Sequence, residues 1–287
     1  MGQRKHTIFL ENSFFWGLPA FLWQALFFYV PLAFLIAASF IKQADAVNSA
    51  HFTLEHYRAL WQPIYISILL RSFLFASATV ILCLIIAYPV AYHLALRVKK
   101  YKTVWFALLV LPFWTNFLLL VYAWYFLLEN DGIINAMLLG LGLISTPLHL
   151  MNTPFATFCG MLYCYLPFML LPLYSNFERI DDRLLEASYD LGGDYFQTFK
   201  RITLPLTLPG IQTGALLVFI PSFGEFVIPA LLGGDKTMYV GSVITHYFLT
   251  IRNTSLGSAF TLMSTLVLIS GIFIAFIIAA IIKMRKN

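Results

Sequence analysis

Charge is what this sequence most lacks: Asp, Glu, Lys and Arg make up only 11% of its 287 residues, where soluble domains carry about 25%. With 60% hydrophobic residues, an ordinary water-soluble domain is excluded, because the apolar surplus has nowhere to hide. Cysteine is sparse too. Cys83, Cys159 and Cys164 lie in apolar stretches without CxxC spacing or histidine neighbours, which argues against a metal or redox site and for buried apolar thiols. The chain also lacks HExxH, GxSxG, any pair of facing carboxylates and the phosphate-binding GxxxxGK[ST], which GGDKT at 233–237 resembles only superficially. Intramembrane catalysis and ATP chemistry therefore have no constellation here.

The apolar residues come in long blocks, at roughly 14–41, 66–96, 104–128, 155–174, 211–232 and 259–282. A helix of about 20 residues matches the bilayer core, so the sequence predicts an all-α polytopic membrane protein with six transmembrane helices in one domain, 1–287. The first block follows Arg4, Lys5 and His6 but is too long for a signal peptide. Prolines inside the blocks (Pro31, Pro89, Pro112, Pro167, Pro172, Pro221 and Pro229) read either as ordinary kinks between packed helices or as bends lining a path.

A pI near 9.0 raises nucleic acid as a partner until the basic residues are placed. Arg4 and Lys5 precede the first block, Arg97, Lys99, Lys100 and Lys102 sit between the second and third, and Lys283, Arg285 and Lys286 follow the last. The segment 42–62 is mixed in charge, with Asp45, His51, Glu55, His56 and Arg58, while 129–154 holds Glu129, Asp131 and His149 but no Lys or Arg. Basic residues thus occupy alternate connections, which orients the chain with both termini in the cytoplasm. No internal repeat is visible, which weakens a two-fold-repeat secondary transporter.

The connection 176–209 carries a pattern that a passive tether would not need. Asp182 is placed to cap a helix with Leu184, Leu185, Ala187, Ser188 and Leu191 at helical spacing and Glu186 and Asp190 on another face. Gly192 and Gly193 end it as a left-handed cap. Asp194 starts a second helix with Tyr195, Phe196 and Phe199 on one side and Lys200 and Arg201 near its end, and Pro205 and Pro209 follow as breaks.

Glu186, Ala187, Ser188, Gly192, Ile202, Leu204 and Pro205 match the cytoplasmic loop signature of importer-type ATP-binding-cassette permeases: EAA, three residues, G, nine residues, I, one residue, LP. Only Ser188 departs, small for small. The stretches LPFWTNFLLLVYAW (111–124), LPFMLLPLYS (166–175) and VFIPSFGEFVIPALLGG (218–234) are similar to spermidine and putrescine permeases. The resemblance implies a type I importer permease fold in the bacterial cytoplasmic (inner) membrane and a non-catalytic subunit. It further implies a second permease subunit as partner, in a heterodimer or a homodimer, a cytoplasmic ATPase dimer holding the ATP and Mg that this chain does not bind, and an extracytoplasmic substrate-binding protein.

Glu225 is the only acid deep inside a block, and a charge there costs at least about 2.5–3.5 kcal/mol. It either faces the translocation path and attracts a cation, or forms a structural pair, or stays neutral by burial. Trp114, Asn116, Tyr122, Trp124 and Tyr125 join aromatic faces to polar tips, suited either to an ammonium group or to a membrane interface. Arg71 reads as a snorkelling or paired residue. The expected cargo is a polyamine; the alternative is the same machine carrying a metal ion or an oxyanion. A solitary channel or secondary transporter would not need the loop signature.

Overall fold

The computed structural model of the protein describes residues 17–42, 51–234 and 237–284. Arg4, Lys5, His6, Asp45, Arg285 and Lys286, on which part of the orientation argument rests, lie outside the described residues, as do Asp235 and Lys236. Among the described residues six helices are long and apolar enough to cross a membrane: Gly17–Ser39, Pro63–Arg97, Phe117–Gly140, Pro154–Phe177, Tyr195–Phe223 and Thr254–Ile277.

Two compact units form. The first comprises 1–65 and 244–287. Within it α1 (Gly17–Ser39) packs on the terminal helix, Thr254–Met284. A two-residue antiparallel ladder, β1 (Ile41–Lys42) with β2 (His51–Phe52), follows α1. Phe40 stacks on Phe52 and tilts against Tyr57, whose hydroxyl lies 2.8 Å from Ser39 Oγ. Tyr57 belongs to α2 (Glu55–Leu60). Tyr65 and Tyr247 share a 2.6 Å hydrogen bond beside Phe260.

The second unit is 66–243. Most of α3 (Pro63–Tyr92) lies here, extended by a π turn at His93–Arg97. The apolar block expected to be one helix over 104–128 is instead broken. α4 (Lys102–Val110) tightens into a 3₁₀ turn at Leu111–Trp114, and α5 (Phe117–Leu128) starts afresh. Pro112 supplies no N–H to the earlier turn, Thr115 and Asn116 are extended, and the Asn116 side chain caps α5 by accepting the Leu118 N–H at 2.8 Å. Hydropathy is blind to such a break, because both halves are equally apolar.

α6 (Ile133–Gly140) is held by buried Asn135, which accepts the Leu148 N–H at 2.9 Å and donates to the carbonyls of Leu148 and Glu129. α7 (Pro154–Phe177) is the most enclosed of the six long helices. Its partner α10 (Leu204–Phe223) approaches closely because two glycines permit it. A Cβ on Gly214 would lie 2.7 Å from Met169 Sδ, and one on Gly210 would lie 2.9 Å from the Asn176 amide. Met161, Met169, Leu173, Phe177 and Val218 form the core between them.

Two further sequence expectations are corrected. Pro205 and Pro209 do not break the chain before a span: the helix runs through both, from Tyr195 to Phe223. A π turn at Phe199–Thr203, in which the Leu204 N–H reaches back to the Phe199 carbonyl, shifts the bonding register where Pro205 supplies no N–H. The block expected to run to 232 stops at Phe223 and resumes only as α11 (Val227–Leu232).

Candidate functional site

Between α7 and α10 the chain folds into the expected pair of short helices. The cap of the first is Asp181 rather than Asp182: its carboxylate accepts the Arg183 N–H at 3.0 Å, and α8 spans Asp182–Asp190. α8 ends as read from the two glycines, with Gly192 at φ +80° and the Gly193 N–H bonded to the Ser188 carbonyl at 2.9 Å. Asp194 caps α9 (Tyr195–Thr198) by accepting the Gln197 N–H at 2.6 Å. Ser188, the one departure from the loop signature, places its hydroxyl 2.8 Å from Thr198 Oγ1 and so ties α8 to α9. Alanine could not make that bond.

None of the residues of α8 is buried. Leu184 is exposed, and Leu191 at its end is 89% exposed, so these two apolar side chains are left uncovered by the rest of the chain. Glu186, Ala187 and Asp190 are exposed beside them. On the other side, Leu185, Tyr189, Tyr195 and Phe199 line an open cleft with Tyr92. Behind the cleft the aromatic rings interlock: Tyr88 meets Phe177 and Phe199 edge-on, and its hydroxyl lies 3.0 Å from Thr207 Oγ1 on α10. Ile202 sits in the π turn, with Leu204 and Pro205 opening α10.

At the entrance to the segment, Lys102 Nζ lies 3.2 Å from Glu178 Oε1, which also accepts the Tyr174 hydroxyl at 2.8 Å. The tyrosine hydrogen bond, aided by the lysine and opposed by slight burial, holds the Glu178 carboxyl below the usual glutamate range. Lys102 also lies over the Tyr174 ring.

Glu225 stands at the break between α10 and α11. Breaking a helix frees backbone N–H groups, and its carboxylate collects them: Oε1 accepts from Phe226, Val227 and Ile228 at 3.0, 2.8 and 3.4 Å. Oε2 accepts the Tyr165 hydroxyl of α7 at 2.6 Å. Gly241 packs on the same break, where a Cβ would fall on the Gly224 carbonyl oxygen. The other expected path residues are not among the hydrogen-bond partners of this acid within the described residues. Trp114 is 85% exposed at the end of its 3₁₀ turn, Asn116 is engaged as the cap of α5, and Tyr122 is exposed on α5. Trp124 packs edge-on against Tyr163 and Tyr125 against Phe126. Among the described residues, Glu225's hydrogen-bond partners are Tyr165 and its own backbone.

Residues 84–287 match the profile of the binding-protein-dependent transport system inner membrane component family. The chain belongs to this family. Among curated relatives of this permease is the spermidine/putrescine transport system permease protein PotB of Haemophilus influenzae, 41% identical over 256 residues, 88% of this chain and 89% of that one. PotB of Escherichia coli is 42% identical over 247 residues, 86% of this chain and 90% of that one. The inner membrane ABC transporter permease protein YdcU of Escherichia coli is 31% identical, with 93% of this chain covered. A crystal structure of a bacterial ABC transporter for alginate import matches 97% of this permease and 99% of its own chain with a TM-score of 0.71 at 17% identity, which shows the fold. The type I importer permease architecture and the multi-pass inner-membrane placement read from the sequence are thereby established.

Sequence reasoning missed Tyr165, Tyr88 and Gly241. Each acts through a contact 60 or more residues away in sequence or through backbone proximity, and neither leaves a local motif. Cys83, Cys159 and Cys164 are free, and no metal-ligating cluster occurs among the described residues.

Proposed function

We propose that this permease carries polyamines inward, receiving them from an extracytoplasmic binding protein and working with a second permease subunit and a cytoplasmic ATPase dimer that holds the ATP and Mg. The observation that carries the cargo assignment is the identity of about two residues in five with spermidine/putrescine permeases across nearly the whole chain. A carboxylate at a helix break, with few bases in the spans, favours a cation over an oxyanion. Trp114, Asn116 and Tyr122 are assigned to the path as places where aromatic faces and an amide oxygen meet an ammonium group.

The segment 176–209 is the coupling loop. Its uncovered apolar residues, Leu184 and Leu191, are what an ATPase groove would bury, and the interlocked rings of Tyr88, Phe177 and Phe199 connect it to three long helices. ATP-driven closure of the ATPase pair then moves the loop and exchanges inward and outward openings. Both termini and this loop lie on the cytoplasmic side.

The test is ATP hydrolysis by the complex in lipid with the binding protein loaded in turn with spermidine, putrescine, ferric iron and sulfate. Stimulation by a polyamine-loaded binding protein is expected. Stimulation only by another solute rejects the cargo, and failure of any ATPase to co-purify rejects the coupling assignment.

A further inference from the structure

The two oxygens of Glu225 are not equivalent. Oε1 is committed to three backbone N–H groups from its own segment, and releasing it would strand donors that a lipid environment cannot satisfy. Among the described residues Oε2 has one partner, the hydroxyl of Tyr165, and a carboxylate oxygen can accept more than one donor. Tyr165 itself is 6% exposed and packed near Phe168 on α7, while Glu225 is only half-buried. One oxygen is therefore committed to the backbone, and the other is held by a buried hydroxyl from a different helix.

A primary ammonium group brings three N–H donors and a full positive charge. It can approach Glu225 only at Oε2, sharing that oxygen with the tyrosine hydroxyl or displacing it. When the cation departs, the hydroxyl is already in place to take the oxygen back. We propose that Tyr165 is a positioning residue that competes with the cargo ammonium for Glu225 Oε2 and so limits how tightly the cation is held. This rests on the polyamine reading above. It adds to that reading a residue on a different helix and a direction of effect: loss of the hydroxyl tightens binding and slows release.

The experiment is equilibrium binding of labelled spermidine to the assembled complex in lipid nanodiscs without binding protein, alongside uptake by the same complex in proteoliposomes with it. Tyr165→Phe keeps the ring and removes only the donor. It is expected to lower Kd roughly tenfold, the scale of one lost hydrogen bond to a charged group, and to reduce uptake turnover. The same change made in a Glu225→Gln complex is expected to leave Kd where Glu225→Gln alone puts it, because the cycle removes the shared partner. A merely structural tyrosine would lower the thermal midpoint without tightening binding. Unchanged or weaker binding by Tyr165→Phe in a complex that takes up polyamine overturns the competition. Absence of polyamine uptake by the unaltered complex overturns the cargo reading and this inference with it.

Discussion

Lys102 and Glu178 form an ion pair of 3.2 Å that joins the basic connection after α3 to the first residue past α7. Because the Glu178 carboxyl titrates below its ordinary value, its contribution is fully present above that ordinary value, about 4.5, and is lost as pH falls through the depressed one. Both side chains are partly solvated, so the tie contributes no more than about 1 kcal/mol. Glu178→Gln should lower the melting midpoint of the complex slightly and equally at pH 7 and pH 5.5. The difference from the unaltered complex should shrink as the pH falls below the ordinary glutamate value and be lost below the depressed one; a difference that grows on acidification would contradict the assignment.

At Gly192 the constraint is conformational rather than steric. A Cβ there would meet nothing within 4 Å, but φ of +80° disfavours any L side chain by about 1–2 kcal/mol. Gly192→Val should re-aim α8 relative to α9 and abolish stimulated ATP hydrolysis and uptake without reducing the amount of assembled complex. Glu186→Arg, a charge reversal on the exposed side of α8, should do the same. Normal uptake by both variants would remove the coupling role.

Two glycines at the Glu225 break should respond unequally to the same change. A methyl on Gly241 would fall on the Gly224 carbonyl, whereas one on Gly224 would have only the Pro221 carbonyl for company, 4.0 Å away. Gly241→Ala should cost about 1–3 kcal/mol and most of the uptake; Gly224→Ala should stay within about 0.5–1 kcal/mol. Thermal midpoints measured in one detergent decide it, and equal losses would refute the close-packing account.

Asn135 ties α6 to the backbone of Leu148 with two hydrogen bonds and to the Glu129 carbonyl with a third. Asn135→Ala leaves those backbone groups without their partner, at a cost of about 1–3 kcal/mol. Amide exchange should quicken between 129 and 150 and remain unchanged in α7. Faster exchange throughout α7 would mean that the segment is not an independent unit.

What the sequence disclosed divides by range. Long apolar blocks and alternating basic connections report on properties spread over twenty residues, and six long helices overlap the six expected blocks, the third and fifth with shifted bounds. The short helix pair in 176–209 was legible because caps are local: Asp194 and the Gly192–Gly193 pair act on neighbours within a turn, and the cap slip, Asp182 for Asp181, is a single position, whereas the expected breaks at Pro205 and Pro209 failed because a π turn absorbs the missing N–H. The interruptions at Thr115–Asn116 and at Gly224–Glu225 were not legible, because hydropathy averages across them. Asn116 stood out as a substrate contact, and its side chain is occupied with the Leu118 N–H. Tyr165 carried no signal at all, since what distinguishes it is an acid 60 residues later.

That order along the chain bears on how the protein is made. Ribosomes deliver α7 first, so the Tyr165 hydroxyl is already in the bilayer when the segment bearing Glu225 emerges. The backbone amides that cradle Oε1 belong to the three residues immediately after the acid and arrive with it. A carboxyl group that would be expensive to bury alone thus arrives with its own shelter attached and a waiting partner on the preceding long helix. A circularly permuted chain that synthesised α10 before α7 would lose that advantage and should insert less efficiently, although its finished contacts would be the same.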